Sequence, residues 1–279
     1  MIDSNRLANH YQRALRADEI LAQIDAHYPA GPTLHQLAPL DQLHIGGVAA
    51  TTRLLERLSP CAPLKSPYVN VLDIGAGLGG LMRQGAALGL QMTGLDITHG
   101  FSALNKALSA RVNQPTAPPL TWVTGDACAL PFADNSFDAV LFQHSLLNMP
   151  DAAKVLAESH RVLRPGGQLV MHEVVSGPNV AQLRYPVPWA ASCEHSHLLG
   201  LAELTRLLET AGFRLDHVED WTELALEWRK RQRQKEQTPR QAVLSPQWIF
   251  GERFLTMGKN LVDNLAQDAI KVVEIQASC

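Results

Sequence analysis

Cysteine is scarce in this chain of 279 residues, and the four present (Cys61, Cys128, Cys193, Cys279) include no CxxC pair. That excludes a zinc ribbon or a thioredoxin-type redox pair, and four thiols over this length make no disulfide framework. Positive charge is not in excess either: 24 Lys+Arg stand against 27 Asp+Glu, a formal charge of −3. A nucleic-acid track or an anionic membrane surface calls for a basic field, so neither partner is expected. No stretch approaches the roughly 18 uncharged apolar residues of a membrane span. The opening Met1-Ile2-Asp3-Ser4-Asn5-Arg6 lacks the apolar core of a signal peptide. There is no internal repeat and no low-complexity tract. The expectation is a soluble, cytoplasmic protein, monomeric or homodimeric.

Apolar residues are plentiful. They make up 46% of the chain against 18% charged, enough for a large core and too many for disorder. The length allows one or two domains. Up to about Pro67 the pattern is helical with breaks: Leu15, Ile20, Leu21 and Ile24 form one apolar face, a Pro/Gly cluster from Pro29 to Pro32 ends it, and a second helix spans 48–58. Strand-like runs then occur at 69–74, 92–97, 120–124, 137–142 and 168–175, with helical patterns between them. The clearest helix places Ala152, Val155, Leu156, Ser159 and Leu163 on one side behind an Asp151 cap, and Pro165-Gly166-Gly167 turns the chain into the next strand. Such alternation predicts right-handed crossovers and a mostly parallel sheet. Beyond it lie a Pro-rich segment at 184–189, a helix over 201–208, a strand over 213–218, and a helical stretch over 221–265 broken near Pro239 and Pro246. A last strand covers 270–275.

The most informative segment is VLDIGAGLGG, residues 71–80. Glycines let the backbone turn tightly after a strand and approach a ligand that a Cβ would exclude. The helix that follows offers free N–H groups to a carboxylate or anion. Gly75, Gly77 and Gly80 satisfy GxGxxG, a weak signal alone. The acids around it narrow the choice. Asp73, at the strand end, repels a pyrophosphate and suits an ammonium group. Asp96 of Gly94-Leu95-Asp96 can accept hydrogen bonds from a ribose diol, and Asp126 of Gly125-Asp126-Ala127 can accept one from an adenine amine.

In order along the chain, VLDIGAGLGG, GLDIT, GDACALPFADNSFDAVLFQHSLLNMPD and RVLRPGGQLV resemble the motifs of the class I S-adenosylmethionine-dependent methyltransferases. The resemblance implies an α/β, Rossmann-like seven-stranded sheet with an antiparallel last strand, plus helical cap and lid segments. Together with the hydrophobic pattern, this reading divides the chain into a helical cap (1–67), a cofactor-binding core (68–220), a helical lid insertion (221–268) and a final core strand (269–279). It implies S-adenosylmethionine as cofactor, with Asp73, Gly75, Gly77 and Gly79 near the aminoacyl end and Asp96 with Ile97 at the ribose. Asp126 with Ala127 would lie at the adenine, and Gln143 nearby. Leu43-His44-Ile45-Gly46-Gly47, the 186–190 segment and Gly258-Lys259-Asn260 resemble the sarcosine/dimethylglycine methyltransferase branch. Where glycine-betaine enzymes of that branch carry Asp after the Gln and His four positions on, this chain has His144 and Asn148.

Methyl transfer from a sulfonium is an in-line displacement that needs a placed nucleophile and somewhere for its proton to go. His144, at the end of the fourth strand, is the candidate base or, equally, a pocket-shaping hydrogen-bonding group. Asn148 can orient a polar group of the acceptor; the alternative is a helix cap. Trp189, His195 and His197 are candidate substrate contacts under a lid. Cys193, His195 and His197 would point the same way in an extended chain, the geometry of a metal site, but no metal is expected. The basic run 229–235 reads as a solvated helix in which Glu227 pairs with Arg231, and Trp221, Trp228 and Trp248 as packing residues. The expected acceptor is a small molecule methylated on N or O. Alternatives are a nicotinamide-dependent oxidoreductase using GxGxxG and a non-catalytic S-adenosylmethionine binder.

Overall fold

The computed structural model describes residues 16–58, 69–113, 118–237 and 243–279. Alternation along β1 (Asn70–Ile74) sets the layers. Leu72 and Ile74 face one side of the sheet and Val71 the other, each fully buried, as a strand covered on both faces requires. Six more strands join it: β2 (Gln91–Asp96), β3 (Thr121–Thr124), β4 (Phe137–Gln143), β5 (Leu163–Ser176), β6 (Arg214–Asp220) and β7 (Ile270–Ser278). Their order is β3-β2-β1-β4-β5-β7-β6. The pairs β1–β2, β1–β4, β2–β3 and β4–β5 are parallel, and β7 runs antiparallel to both β5 and β6. This is the expected Rossmann-like α/β sheet. Strand order reverses between β1 and β4, and open α/β sheets bind ligands at the carboxyl edge of that point.

Helices α1 (Ala17–His27), α2 (Leu34–Asp41) and α3 (Gly47–Glu56) precede the sheet, and α4 (Gly80–Ala87) and α5 (His99–Ser109) follow β1 and β2. The later ones are α6 (Ala152–Val162), α7 (Leu201–Thr210), α8 (Thr222–Glu236), α9 (Gln247–Phe250) and α10 (Phe254–Ala266). Val155 and Leu156 of α6 and Leu204 and Leu208 of α7 pack with Leu72, Val140 and Met171 on one face. Leu54 and Leu55 of α3 and Leu81 and Met82 of α4 pack with Val71, Leu141 and Val170 on the other. Each such side chain contributes roughly 1.5–3 kcal/mol when fully buried.

Two sequence expectations need correction. A further helix, α2, stands between the two expected in the N-terminal stretch, and it carries Pro39 within it. A capping box starts this helix: Thr33 Oγ1 accepts from Gln36 N at 3.2 Å while Gln36 Oε1 accepts from Thr33 N at 2.8 Å. Pro165-Gly166-Gly167 does not precede β5 but lies inside it. Leu163 already pairs with Phe137, and the register jumps before Gln168 pairs with Ala139, so the glycines form a bulge. Leu15, the boundary at Pro67 and the break at Pro239 lie outside the described residues.

Candidate active site

Gly75, Gly77 and Gly79 all adopt left-handed backbone, with φ of +80°, +50° and +81°. Two of them are glycine for packing reasons as well. A Cβ at Gly75 would lie 2.4 Å from Ser145 Cβ, and one at Gly79 would lie 2.0 Å from Asn105 Oδ1. Gly77 differs: a Cβ there would meet only the Gly75 carbonyl oxygen, at 4.0 Å, because this face borders a cleft of about 2920 Å³. The loop is held from below by Gly75 and Ala76 N–H groups donating to Leu95 O at 2.8 and 3.1 Å.

The three strand-end acids all line that cleft. Asp73 is only 2% exposed. Burial, with the Asp96 charge adding to it, pushes its carboxyl up to about 8, and it has no hydrogen-bond partner among the described residues. Asp96 Oδ2 accepts from Gly77 N at 2.9 Å and its Oδ1 from Thr98 N at 2.8 Å; burial raises its carboxyl, opposed by these two N–H groups. Ile97 follows it on the cleft wall. Asp126 is exposed, and its Oδ1 accepts from Cys128 N at 2.8 Å, capping the single 3-10 turn Ala127–Ala129.

At the neighbouring strand end, His144 adopts φ +52°, an uncommon conformation for a residue with a Cβ. The turn is fixed from three sides. His144 N donates to His172 O at 2.9 Å, Ser145 Oγ to Ile74 O at 2.6 Å, and the Ser145 and Leu146 N–H groups to Glu173 Oε1 at 2.7 and 2.8 Å. Asn148 ends the 3-10 turn Leu146–Asn148, and Asp151 is the cap of α6. His144 Nε2, Asn148 Oδ1 and the Gln143 amide nitrogen are all buried without a hydrogen-bond partner, in residues that line the cleft. Gln143 Oε1 accepts from the Thr51 hydroxyl at 3.2 Å. Burial, then the neighbouring His172 and His44, hold the His144 imidazole well below its usual value. It is therefore neutral at physiological pH, a hydrogen-bonding group more than a strong base.

His44, His172 and Glu173 surround this turn, and none of them was expected to be a site residue. His172 and Glu173 do interrupt an otherwise apolar strand, a signal that polar partners wait on both faces of β5. On the cap side, Trp189 is 5% exposed and donates from Nε1 to Ser196 Oγ at 3.2 Å. Cys193–His195 is a 3-10 turn, not an extended segment, so these side chains do not align as metal ligands. Among the described residues no group of three His, Cys, Asp or Glu is placed to hold a metal ion. His195 Nδ1 lies 2.9 Å from Ser192 Oγ; His195 and His197 both reach the cleft. The 229–235 run is not wholly solvated. Arg229 is buried and donates to both Glu236 carboxylate oxygens at 2.6 Å; among the described residues that, and not Glu227–Arg231, is the ion pair within α8. Trp221 and Trp228 pack in one apolar cluster and Trp248 against another.

A glycine loop after β1, an acid closing each of β1 and β2, a third at the exit of β3 and an antiparallel β7 define the class I methyltransferase fold, and residues 72–171 match the family described as methyltransferase domain. The demethylmenaquinone methyltransferase of Renibacterium salmoninarum is 35% identical over 158 residues, covering 57% of this chain and 60% of that protein. The chain thus spans less than two thirds of that relative's length. Among solved structures, a geranyl diphosphate C-methyltransferase from Streptomyces coelicolor superposes with a TM-score of 0.69 at 15% identity, covering 100% of this chain and 98% of that one. A putative sarcosine dimethylglycine methyltransferase from Galdieria sulphuraria gives 0.62 at 17% identity over 82% of this chain and 81% of its own. At these identities the superpositions speak for the fold. Among the described residues no helix is long and apolar enough to cross a membrane.

Proposed function

We propose that the chain is an S-adenosylmethionine-dependent methyltransferase acting on a nitrogen or oxygen of a small molecule. The cofactor fits residues already on the cleft wall. Asp73 offers an unpartnered carboxyl that an ammonium group would draw into its ionised form, Gly77 leaves a face with room for a ligand, and Asp96 and Asp126 on the same wall would accept from ribose hydroxyls and an adenine amine. A nicotinamide dinucleotide fits less well, since Asp73 would face its pyrophosphate. When bound, the cofactor supplies an electrophilic methyl group on a sulfonium.

The acceptor's chemistry rests on one observation: His144 Nε2 and Asn148 Oδ1 are buried and unpartnered at the edge of the cleft. Buried orphan polar groups cost about 1–3 kcal/mol each, and a hydrogen bond with the bound molecule removes that cost while aiming its heteroatom. His144 takes up or passes on the proton only weakly, so positioning carries most of the rate. Trp189, His195 and His197 close the pocket from the cap side. The test is to incubate the protein with methyl-labelled S-adenosylmethionine and separate pools of metabolites, RNA, DNA and protein. Label is expected in the metabolite pool, on nitrogen or oxygen by carbon NMR of the product. Label on carbon overturns the heteroatom assignment alone; label only in macromolecules overturns the small-molecule reading.

A further inference from the structure

Strand register assembles a row of polar side chains that local sequence does not reveal. Gln143 of β4 pairs with His172 of β5, His172 with Glu274 of β7, and Glu274 with Glu219 of β6. All four lie on the α3 face of the sheet, running from the cleft to the far edge. Helix α3 covers the row. Thr51 bonds Gln143; Arg53 Nε donates to Glu274 Oε2 at 2.7 Å; Arg53 and Arg57 both reach Glu219. His217 Nε2 meets the same Glu219 carboxylate at 3.1 Å.

The buried centre of this row is His172, fully enclosed, with Glu274 at 2% exposure. Its Nε2 sits 3.1 Å from Ile45 O, and a carbonyl only accepts, so Nε2 carries a hydrogen. Its Nδ1 lies 3.6 Å from Glu274 Oε1, and these two atoms are otherwise both without partners. In a neutral ring, Nδ1 would turn a lone pair toward a carboxylate oxygen inside the protein. A second proton gives both atoms a counterpart at once. Everything else around the ring is compatible with a cation: the Trp221 ring edge-on at 4.9 Å, His44 at 6.4 Å, and His144 stacked at 5.1 Å and 12°. Arg53 and Arg57, which pair with the other Glu274 oxygen, are 35% and 25% exposed.

We propose that His172 is a positioning residue, held as an imidazolium by Glu274, and that this buried cation keeps the stacked His144 neutral and hydrogen-bonding at the acceptor site. The low value of the Glu274 carboxyl, about 2 with His172 and Arg53 opposing its burial, agrees with the pairing. The consequence for methyl transfer rests on the function proposed above, but the charge states do not. They are read by NMR on protein carrying nitrogen-15 histidine, with His144→Gln and His172→Gln used to assign the two rings.

In the wild-type protein at neutral pH, His172 is expected to show two protonated ring nitrogens and His144 one. In Glu274→Gln, His172 should become neutral and the His144 titration should move up by about one to two pH units, what remains of a unit charge near 5 Å after the loss of the Glu274 carboxylate partly cancels it. The acid limb of the rate profile should move with it. A singly protonated His172 in the wild type overturns the proposal, and does not depend on the Glu274 variant folding. So does an unmoved His144 titration in folded Glu274→Gln, which is what a merely structural Glu274 would give. Absence of turnover with the expected ring states defeats the function and leaves this inference standing.

Discussion

Asp96 illustrates how one side chain serves two tasks. Its carboxylate ties the Gly77 and Thr98 N–H groups together and so shapes the loop that would receive the cofactor. Asp96→Ala is expected to weaken S-adenosylmethionine binding by about 1.5–3 kcal/mol, the range for a charged hydrogen-bond partner. Isothermal calorimetry checks this, and unchanged affinity refutes the ribose assignment. At His144 the expectation is smaller than for a general base. Replacing it with Gln should lower turnover about 10–100-fold, one lost hydrogen bond's worth, with cofactor affinity retained. A deficit nearer 10⁴-fold is the signature of acid–base catalysis and would contradict the neutral, positioning role. The acids and His144 were legible in the sequence because each ends a strand beside a glycine or turn. Glu173 was not, since its partners Ser145 and Leu146 lie 28 and 27 residues away.

Elements carry the next level of specification. Helix α2 is anchored to α4 by the Arg83–Asp41 pair at 2.7 Å, with side-chain exposures of 0% and 3%. Arg83 also bonds Leu78 O in the glycine loop and Asn105 Oδ1 of α5. Arg83→Met leaves Asp41 buried without its cation and is expected to cost about 3–5 kcal/mol. Arg111→Met, at a largely exposed pair with Asp25, should leave the unfolding midpoint nearly unchanged, since water screens the pair. Urea unfolding of both variants checks the contrast, and equal midpoints would refute it. Strands were readable from apolar runs and their flanking glycines, and most bounds agree within two residues. Helix α2 was not, because Pro39 and the preceding Pro/Gly cluster argue for loop. Only the capping pair Thr33 and Gln36 points the other way. The polar row was hidden for a different reason: positions 143, 172, 274 and 219 become neighbours only through strand order.

For the molecule as a whole, buried titratable groups fix how stability varies with pH. Burial holds the carboxyls of Asp73 and Glu173 up to about 8, so between their unfolded values and about 8 the native state keeps protons that the unfolded chain has lost. Stability falls as pH rises across that window. His44, lowered to about 3, and His144 act oppositely, adding stability as pH rises to the unfolded histidine value of 6.5 and nothing beyond it. Glu274, lowered to about 2, adds stability that is lost as pH falls below about 4.5. The opposing slopes offset one another until pH 6.5, after which neither His44 nor His144 opposes the carboxyls. The melting temperature is therefore expected to decline from pH 6.5 to 8, and less steeply in Asp73→Asn. A flat wild-type profile over that interval would sink the assignment of buried neutral acids.

The place of β7 also governs how the chain is made. The sheet binds β6 only through β7, yet β7 is translated some 50 residues after β6 ends, a delay of several seconds at about 5–20 residues per second. During that interval the nascent protein has a folded cofactor half, an open edge on β5 and a β6 with no strand to join. The binding loop can thus mature on the ribosome well before β7 brings Glu274 beside His172. A ligand present during synthesis would meet a half-built pocket, with the strand-end wall made and the wall from α8 to α10 still to follow.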